Sequence, residues 1–193
     1  MKIDILGLLE CTQAWADTKA LGNKLRAKCY MEACLAYNEK KIQDLLADIK
    51  SRDCPVPSIT CECCDDVNAV FRRKDNDIKI CYNNPAVSGF DMKVAVGNLL
   101  YHEMYHAWQK CAIKDSPDQR YKTKCAQSMC REIQAYANAN CNNIADAELR
   151  KQCIKFGAKN STSTNCQDIS GIQWEAWFKQ IYDSCSVPFK KHN

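Results

Sequence analysis

The fold of this chain depends on residues 91–113, which read DMKVAVGNLLYHEMYHAWQKCAI. Asp91 belongs to the residue types that cap helix N-termini, and apolar residues recur through the stretch that follows it. We therefore predict one long helix from Asp91 to about Ile113. The pentapeptide HEMYH at 102–106 lies inside this helix, and the four-residue step from His102 to His106 places both imidazoles on one face.

This pentapeptide has the spacing of a catalytic metal site. His102 and His106 can bind one metal ion together, and Glu103 can take the proton of a metal-bound water as that water attacks a carbonyl. Zinc suits this chemistry, because it needs no redox change and lowers the pKa of its water to about 7. The alternative is a histidine pair that only packs on a helix. The apolar flanks of the motif favour the metal site.

A catalytic zinc needs a third protein ligand and one open position. The remaining histidine, His192, lies close to the end of the sequence, so an acidic residue is the more realistic ligand. Glu132 is the main candidate, since a helix-loop-helix of this length can bring it back beside the two histidines. An ordinary surface glutamate is the alternative at that position, and Glu148 is a weaker candidate.

Working outward from this helix, the sequence predicts a mainly helical α+β fold in one domain, 1–193. Two short apolar runs, 68–72 and 78–82, are joined by turn-forming residues and predict a small β-hairpin. The cysteine-rich stretch 51–66 and the polar stretch 159–164 are expected to be loops. Further helices are expected at 2–22, 24–50, 116–139, 144–156 and 172–184.

Fifteen cysteines in 193 residues indicate an oxidising environment, because a chain of this length can bury a core without disulfides. Cys61 and Cys64 offer half of a zinc knuckle, but no second pair of this spacing completes it, so we expect disulfides there. An odd number of cysteines leaves at least one thiol outside the intrachain disulfides. Three further spacings are typical of helix staples: Cys130 to Cys141, Cys141 to Cys153, and Cys153 to Cys166.

The N-terminal segment is unlike a secretory signal or a transit peptide, because Asp4 and Glu10 flank a short apolar run. Many cysteines without such a signal are compatible with the mitochondrial intermembrane space, where oxidation traps proteins. The alternative is a cytosolic protein with reduced or metal-bound thiols.

The composition excludes several classes of protein. With 46% hydrophobic and 26% charged residues, the chain is not wholly disordered, and a net charge of +4 with mixed signs does not argue for nucleic-acid binding. No apolar run approaches the roughly 20 residues of a membrane-spanning helix. One predicted helix face is interpreted as core, with a membrane or partner docking surface as the alternative: Trp174, Trp177, Phe178 and Ile181.

The surroundings of the HEMYH motif carry a resemblance over about residues 40–153. In chain order they contain Asp53-Cys54, Cys61 with Cys64, Ile80-Cys81-Tyr82-Asn83, His102 to Ala107, Cys111, and Met129-Cys130-Arg131-Glu132-Ile133-Gln134-Ala135 followed by Cys141. This pattern resembles the mitochondrial intermembrane-space zinc metalloproteases that process ATP synthase subunit a and assist its assembly. Two positions depart from that family, which has aspartate at Gln109 and histidine at Gln127.

The resemblance implies a zincin-like, disulfide-stapled domain with zinc bound by His102, His106 and Glu132 and with Glu103 as the general base. It divides the chain into N-terminal helices at 1–50, a metalloprotease-like core at 51–153 and a divergent C-terminal extension at 154–193. It assigns seven cysteines to the family scaffold: Cys54, Cys61, Cys64, Cys81, Cys111, Cys130 and Cys141. Cys153 is assigned to neither group. Seven further cysteines are extras, meaning additional to the family scaffold: Cys11, Cys29, Cys34, Cys63, Cys125, Cys166 and Cys185.

In function, the resemblance implies a zinc endopeptidase of the intermembrane space, peripheral to the inner membrane. It would act on inner-membrane proteins or assist their assembly, and the hairpin would align an extended substrate by strand addition. The alternative is a catalytically idle subunit of an inner-membrane respiratory or ATP synthase complex that retains the zinc site. A secreted cysteine-rich protease is a weaker third hypothesis. The expected partner is a protein substrate or a membrane protein complex, and not nucleic acid.

Overall fold

The computed structural model describes residues 24–64, 68–83, 91–112 and 117–187. These residues confirm a mainly helical α+β fold with a small sheet and several disulfides. The helix predicted at 2–22 lies outside the described residues. The elements are α1 (Lys24–Tyr37), α2 (Lys40–Ser51), β1 (Ser58–Glu62), β2 (Ala69–Arg72), β3 (Asp77–Cys81), α3 (Met92–Cys111), a 3-10 turn (Pro117–Arg120), α4 (Lys124–Asn138), α5 (Ala147–Ser161) and α6 (Gly171–Cys185).

Backbone contacts group the chain into two compact units, one ending at Cys111 and one covering 112–190. The subdivision at residues 50 and 153 stays a prediction from the sequence. None of the helices in the described part of the chain has both the length and the hydropathy that crossing a membrane requires.

In the first unit α3 is the central helix, and α1, α2 and the sheet pack around it. Its side chains are buried on most faces from Met92 to Gln109, as is typical of a helix in the middle of a core. Asp91 caps its start, since Asp91 Oδ1 accepts the backbone N–H of Lys93 at 3.1 Å. The long helix predicted at 91–113 is therefore confirmed, with its end at Cys111.

The helix predicted at 24–50 is two helices, because the chain changes direction at Asn38 and Glu39. The Asn38 side chain donates to the carbonyl of Cys34 at 2.9 Å and so satisfies one of the last carbonyls of α1. Glu39 is extended, with φ −66° and ψ 139°, and α2 begins after it. No proline or glycine lies between Gly22 and Pro55, so the sequence carries no helix-breaking signal at this point.

The sheet contains the predicted hairpin and one strand more. β2 and β3 are antiparallel, with Phe71 opposite Ile78, and β1 pairs with β3 in parallel, so the strand order is β1-β3-β2. The expectation of a loop throughout 51–66 is thus wrong over Ser58–Glu62. Prolines and cysteines dominate that stretch, but Ile59 and Cys61 are buried between half-buried neighbours, which is the two-residue period of a strand.

Disulfides tie the elements of this unit together. Cys29–Cys61 joins α1 to β1, Cys54–Cys111 joins the segment after α2 to the end of α3, and Cys64–Cys81 joins the segment after β1 to β3. A disulfide of this kind typically contributes about 2–4 kcal/mol by restricting the unfolded chain. Cys61 and Cys64 are therefore disulfide-bonded as predicted, and the zinc-knuckle alternative is wrong.

In the second unit α4 is the central helix, and α5 and α6 pack against it. The helix predicted at 116–139 is divided into the 3-10 turn and α4, because Thr123 caps α4 by accepting the N–H of Ala126 at 3.2 Å. The polar loop predicted at 159–164 is wrong in its first half. There α5 continues to Ser161, and the buried Thr162 hydroxyl donates to the carbonyl of Ala158 at 2.7 Å.

The aromatic face of α6 belongs to the core of this unit. Trp174, Phe178 and Ile181 are buried, and Trp177 packs half-buried against them, which confirms the core interpretation. α6 begins where it was predicted, after a capping box formed by Ser170 and Gln173.

The disulfides of the second unit correct two of the three predicted staples. Cys141–Cys153 is bonded as predicted. Cys130 bonds to Cys185 and Cys166 bonds to Cys125, because helix packing, and not proximity in sequence, brings these pairs together. Cys185, assigned to the extras, thus pairs with a scaffold cysteine, as Cys29 does in the first unit. Among the described residues, Cys63 is a free and exposed thiol.

A close helix contact in this unit makes Gly157 sensitive to substitution. A Cβ at Gly157 would overlap three ring atoms of Tyr136, so α4 and α5 approach this closely only because no side chain is present. We expect Gly157→Ala to lower the free energy of unfolding by about 1–3 kcal/mol through overpacking, measured by denaturant unfolding. Gly171→Ala is the matched control, since a Cβ there meets nothing within 4 Å. Equal stability of the two variants would contradict this contact.

Candidate metal centre

The two histidines of the HEMYH motif face each other on α3. Their Nε2 atoms are 3.1 Å apart and their ring planes are inclined at 84°. Two imidazole ligands of a tetrahedral zinc, each bound at about 2.0–2.1 Å, have nitrogens about 3.3 Å apart. The pair therefore has nearly the separation that a shared zinc ion requires. His102 is buried and His106 is half-buried.

Glu103 is buried beside the first histidine and its carboxylate is held by the sheet. Glu103 Oε2 accepts the backbone N–H of Phe71 in β2 at 2.7 Å. This hydrogen bond uses an N–H that points away from β3, and it restrains one oxygen of the carboxylate. A charge-assisted bond of this kind is stronger than one between neutral groups, so Glu103 has a defined position before any substrate binds.

Gln109 contacts the His106 ring at Nδ1, the nitrogen that does not face His102. Its side chain is 2% exposed, and Gln109 Oε1 lies 2.8 Å from His106 Nδ1. A carbonyl oxygen can only accept, so Nδ1 carries the proton in this contact and Nε2 keeps its lone pair.

Two tyrosines of α3 precede the histidines in sequence. Burial raises the pKa of Tyr101 and of Tyr105, and the charge of Asp44 adds to the shift at Tyr101. Both phenols therefore stay neutral at pH 7, and neither can act as a general base there. Within the motif, this leaves Glu103 as the residue suited to accept a proton.

A buried carboxylate on α2 anchors the helix that carries the motif. Asp48 Oδ2 accepts from Trp108 Nε1 and from Arg52 Nε, each at 2.7 Å, and Arg52 also lies over the Trp108 ring at 6.0 Å. Trp108 follows His106 by two residues. Together with the Cys54–Cys111 disulfide, this contact fixes the C-terminal half of α3 against α2.

We expect Asp48→Ala to lower the free energy of unfolding by about 3–5 kcal/mol, because it removes the buried carboxylate that pairs with the largely buried Arg52 guanidinium and accepts the indole N–H of Trp108. Asp44→Ala is the matched control on the same helix. It removes a pair with Lys40, whose side chain is 83% exposed, so its cost should stay within about 1 kcal/mol. Chemical denaturation of both variants with disulfides intact measures the difference, and equal losses would contradict the anchoring role.

The hairpin is attached to the same helix by a second contact. Lys110 Nζ donates to the carbonyl of Arg73 at 2.8 Å and to Asn76 Oδ1 at 3.3 Å, and it lies over the Phe71 ring at 5.7 Å. Asn76 has φ 51°, a left-handed conformation that asparagine tolerates in turns. The strand that holds Glu103 is therefore attached to α3 through Phe71 and through the turn that follows the strand.

Glu132, predicted as the third ligand, is carried by α4. It lies in the second unit whereas the two histidines lie in the first, so Glu132 as the third ligand stays a prediction. A nitrogen-nitrogen-oxygen donor set of this kind suits zinc. Glu148, the weaker candidate, is exposed on the first turn of α5. Gln127, the other departure from the resembled family, donates to the carbonyl of Tyr121 at 2.8 Å.

Sequence reasoning missed three contributors to this centre. Asp48 is separated from Trp108 by 60 residues, and the backbone of Phe71 acts through an N–H that every residue except proline possesses. Gln109 was noted only as a departure from the resembled family. Its position three residues after His106, one helical turn on, is the signal that could have placed it against that ring.

The chain was compared with known proteins. A model of the Peptidase M76 family matches residues 26–190, which include the HEMYH motif and Glu132. No curated protein and no solved structure matches the chain. The match extends beyond the 40–153 segment on which the resemblance was first noted, on both sides.

Proposed function

The chain belongs to the peptidase M76 family, and from this premise we propose that it is a zinc-dependent endopeptidase acting on protein substrates. Family membership by itself supports a metallopeptidase-like protein. The identity of the metal, the endopeptidase action and the cellular site are our proposal. The observation that carries it is the Nε2–Nε2 separation of 3.1 Å between His102 and His106, with Glu103 next to them on the same helix.

His102 and His106 would hold the zinc, with Glu132 as the third ligand. When bound, zinc would lower the pKa of a water and polarise the substrate carbonyl. Glu103 would take the proton of that water and hand it to the leaving amine. Because the Phe71 N–H holds Oε2, the other carboxylate oxygen is the one available for proton transfer.

The substrate would bind in an extended conformation along β2. In the β2–β3 ladder the Cys81 N–H donates to the carbonyl of Asn68, so backbone groups of Asn68 face β3. Residues alternate in direction along a strand, so the backbone groups of Ala69 and Phe71 face away from β3. Because Glu103 Oε2 already holds the Phe71 N–H, a peptide on this side of β2 would pair with the backbone of Ala69 and pass close to Glu103. β-strand addition is a common mode of peptide recognition.

For location, we propose the mitochondrial intermembrane space, with action on inner-membrane proteins. Support comes from the six disulfides between described residues, which need an oxidising compartment to form. A catalytically idle assembly subunit is the second candidate.

The test is to measure zinc in the purified oxidised protein by mass spectrometry and to follow cleavage of an inner-membrane protein precursor. We expect one zinc per chain, loss of cleavage after chelation and recovery on adding zinc back. Cleavage that survives complete metal removal would overturn the proposal. Bound zinc with no cleavage, together with membrane-complex assembly that does not need Glu103, would establish the idle assembly subunit instead.

A further inference from the structure

The proposed zinc ligands differ in how their imidazole rings are oriented. His106 is held at Nδ1 by the carbonyl oxygen of Gln109 at 2.8 Å. Gln109 is 2% exposed, so bulk water does not compete for this contact. The two residues are three apart on α3, which makes the contact a property of one helix turn and not of a mobile loop.

This contact decides which tautomer His106 adopts. A neutral imidazole carries one proton, and a carbonyl oxygen cannot donate, so the proton stays on Nδ1. The Nε2 lone pair of His106 then points at His102 Nε2, 3.1 Å away, and in the metal-free protein His102 supplies the proton between them. His106 is thus already in the tautomer that binds a metal through Nε2, whereas His102 must give up its Nε2 proton.

We propose that Gln109 is the positioning residue of the metal centre, which holds His106 in its metal-binding tautomer and tunes zinc affinity through a neutral amide. This inference rests on the proposed zinc site. Removing the hydrogen-bond partner of a metal-bound histidine typically lowers metal affinity by about 10–100-fold. A carboxylate partner raises the basicity of the ligand more than an amide does, so the amide sets an affinity below the maximum that this ring position allows.

The experiment compares Gln109→Met, which keeps the side-chain length but removes the acceptor, with Gln109→Glu, which keeps an acceptor. The matched control is Gln127→Met. Gln127 is also a half-buried glutamine on a helix, but its side chain donates to the backbone carbonyl of Tyr121 and not to an imidazole. Zinc affinity is measured by competition with a chromophoric chelator. Thermal midpoints of the metal-free proteins report whether each variant is folded.

We expect Gln109→Met to weaken zinc binding by about 10–100-fold, while Gln109→Glu binds at least as tightly as the wild type and Gln127→Met is unchanged. The tautomer is read directly in the wild type, from ¹⁵N shifts of the imidazoles of the metal-free protein at pH 8. The chain has three histidines, so this spectrum is simple. We expect the neutral ring of His106 to be protonated at Nδ1.

The possible failures are distinguishable. A wild type that binds no zinc would overturn the proposed function and this inference together. A wild type that binds zinc, with His106 protonated at Nε2 or with unchanged affinity in a folded Gln109→Met, would overturn the positioning role alone. If Gln109→Met does not fold, the tautomer of the wild type and the affinity of Gln109→Glu still decide the question. Gln109→Glu keeps an acceptor. If it loses as much zinc affinity as a folded variant without an acceptor, the positioning role of Gln109 is contradicted.

Discussion

Glu103→Gln is expected to reduce kcat by about 10²–10⁴-fold, the range that general acid–base catalysis contributes. The amide has nearly the same shape and keeps an oxygen that can accept the Phe71 N–H, but it cannot take a proton from water. Stability and zinc content should therefore stay close to those of the wild type. Cleavage of a precursor or a fluorogenic peptide measures the change, with zinc quantified in the same samples.

Glu148→Gln is the matched control for this experiment. Glu148 is exposed on α5, and its carboxylate accepts a hydrogen bond from the side chain of Gln152 on the same helix. Its kcat should equal that of the wild type. Retention of full activity by a zinc-loaded Glu103→Gln would remove the general base from the mechanism. In that case the idle assembly subunit becomes the better account of the same zinc site.

His106→Ala is expected to weaken zinc binding by more than any change to a neighbouring residue. Removing the hydrogen-bond partner of a metal ligand costs about 10–100-fold in affinity, so removing the ligand itself should cost on the order of 10³-fold. Activity at limiting zinc should be lost with it. Titration against a chelator of known affinity measures this, and His192→Ala is the matched control, because sequence reasoning assigns His192 no ligand role.

The same titration tests the third ligand. Glu132 is the predicted third ligand, so Glu132→Gln should also lower zinc affinity. Unchanged affinity in this variant, with a large loss in His106→Ala, would leave a two-histidine site and remove Glu132 from it. Unchanged affinity in both variants would show that zinc binds elsewhere in the chain.

Much of the fold was predictable where a signal is local. The α3 helix, the hairpin and the start of α6 follow from capping residues and periodicity within a few residues. Predictions failed where a local signal was ambiguous. Ser58–Glu62 resembled a loop because cysteine and proline are common there, yet its strand is stabilised by pairing with a partner that follows 19 residues later.

The cysteines show the same division more clearly. Cys141–Cys153 was predictable, because 12 residues separate the two and both flank one helix start. Cys130–Cys185 spans 55 residues and Cys54–Cys111 spans 57, so no spacing rule identifies either pair. The bond forms where helix packing brings two Cβ atoms within reach, and that is a property of the folded chain.

The sequence by itself determined the chemistry at the centre of this protein, because i and i+4 on one helix share a face whatever surrounds them. It therefore specified His102 and His106 as a pair, with Glu103 between them. Only the tertiary structure decided what holds those groups in place: the N–H of Phe71 on Glu103, and Asp48 on Trp108. These contacts join residues 32 and 60 positions apart, and such distances in sequence carry no periodicity from which a contact can be read.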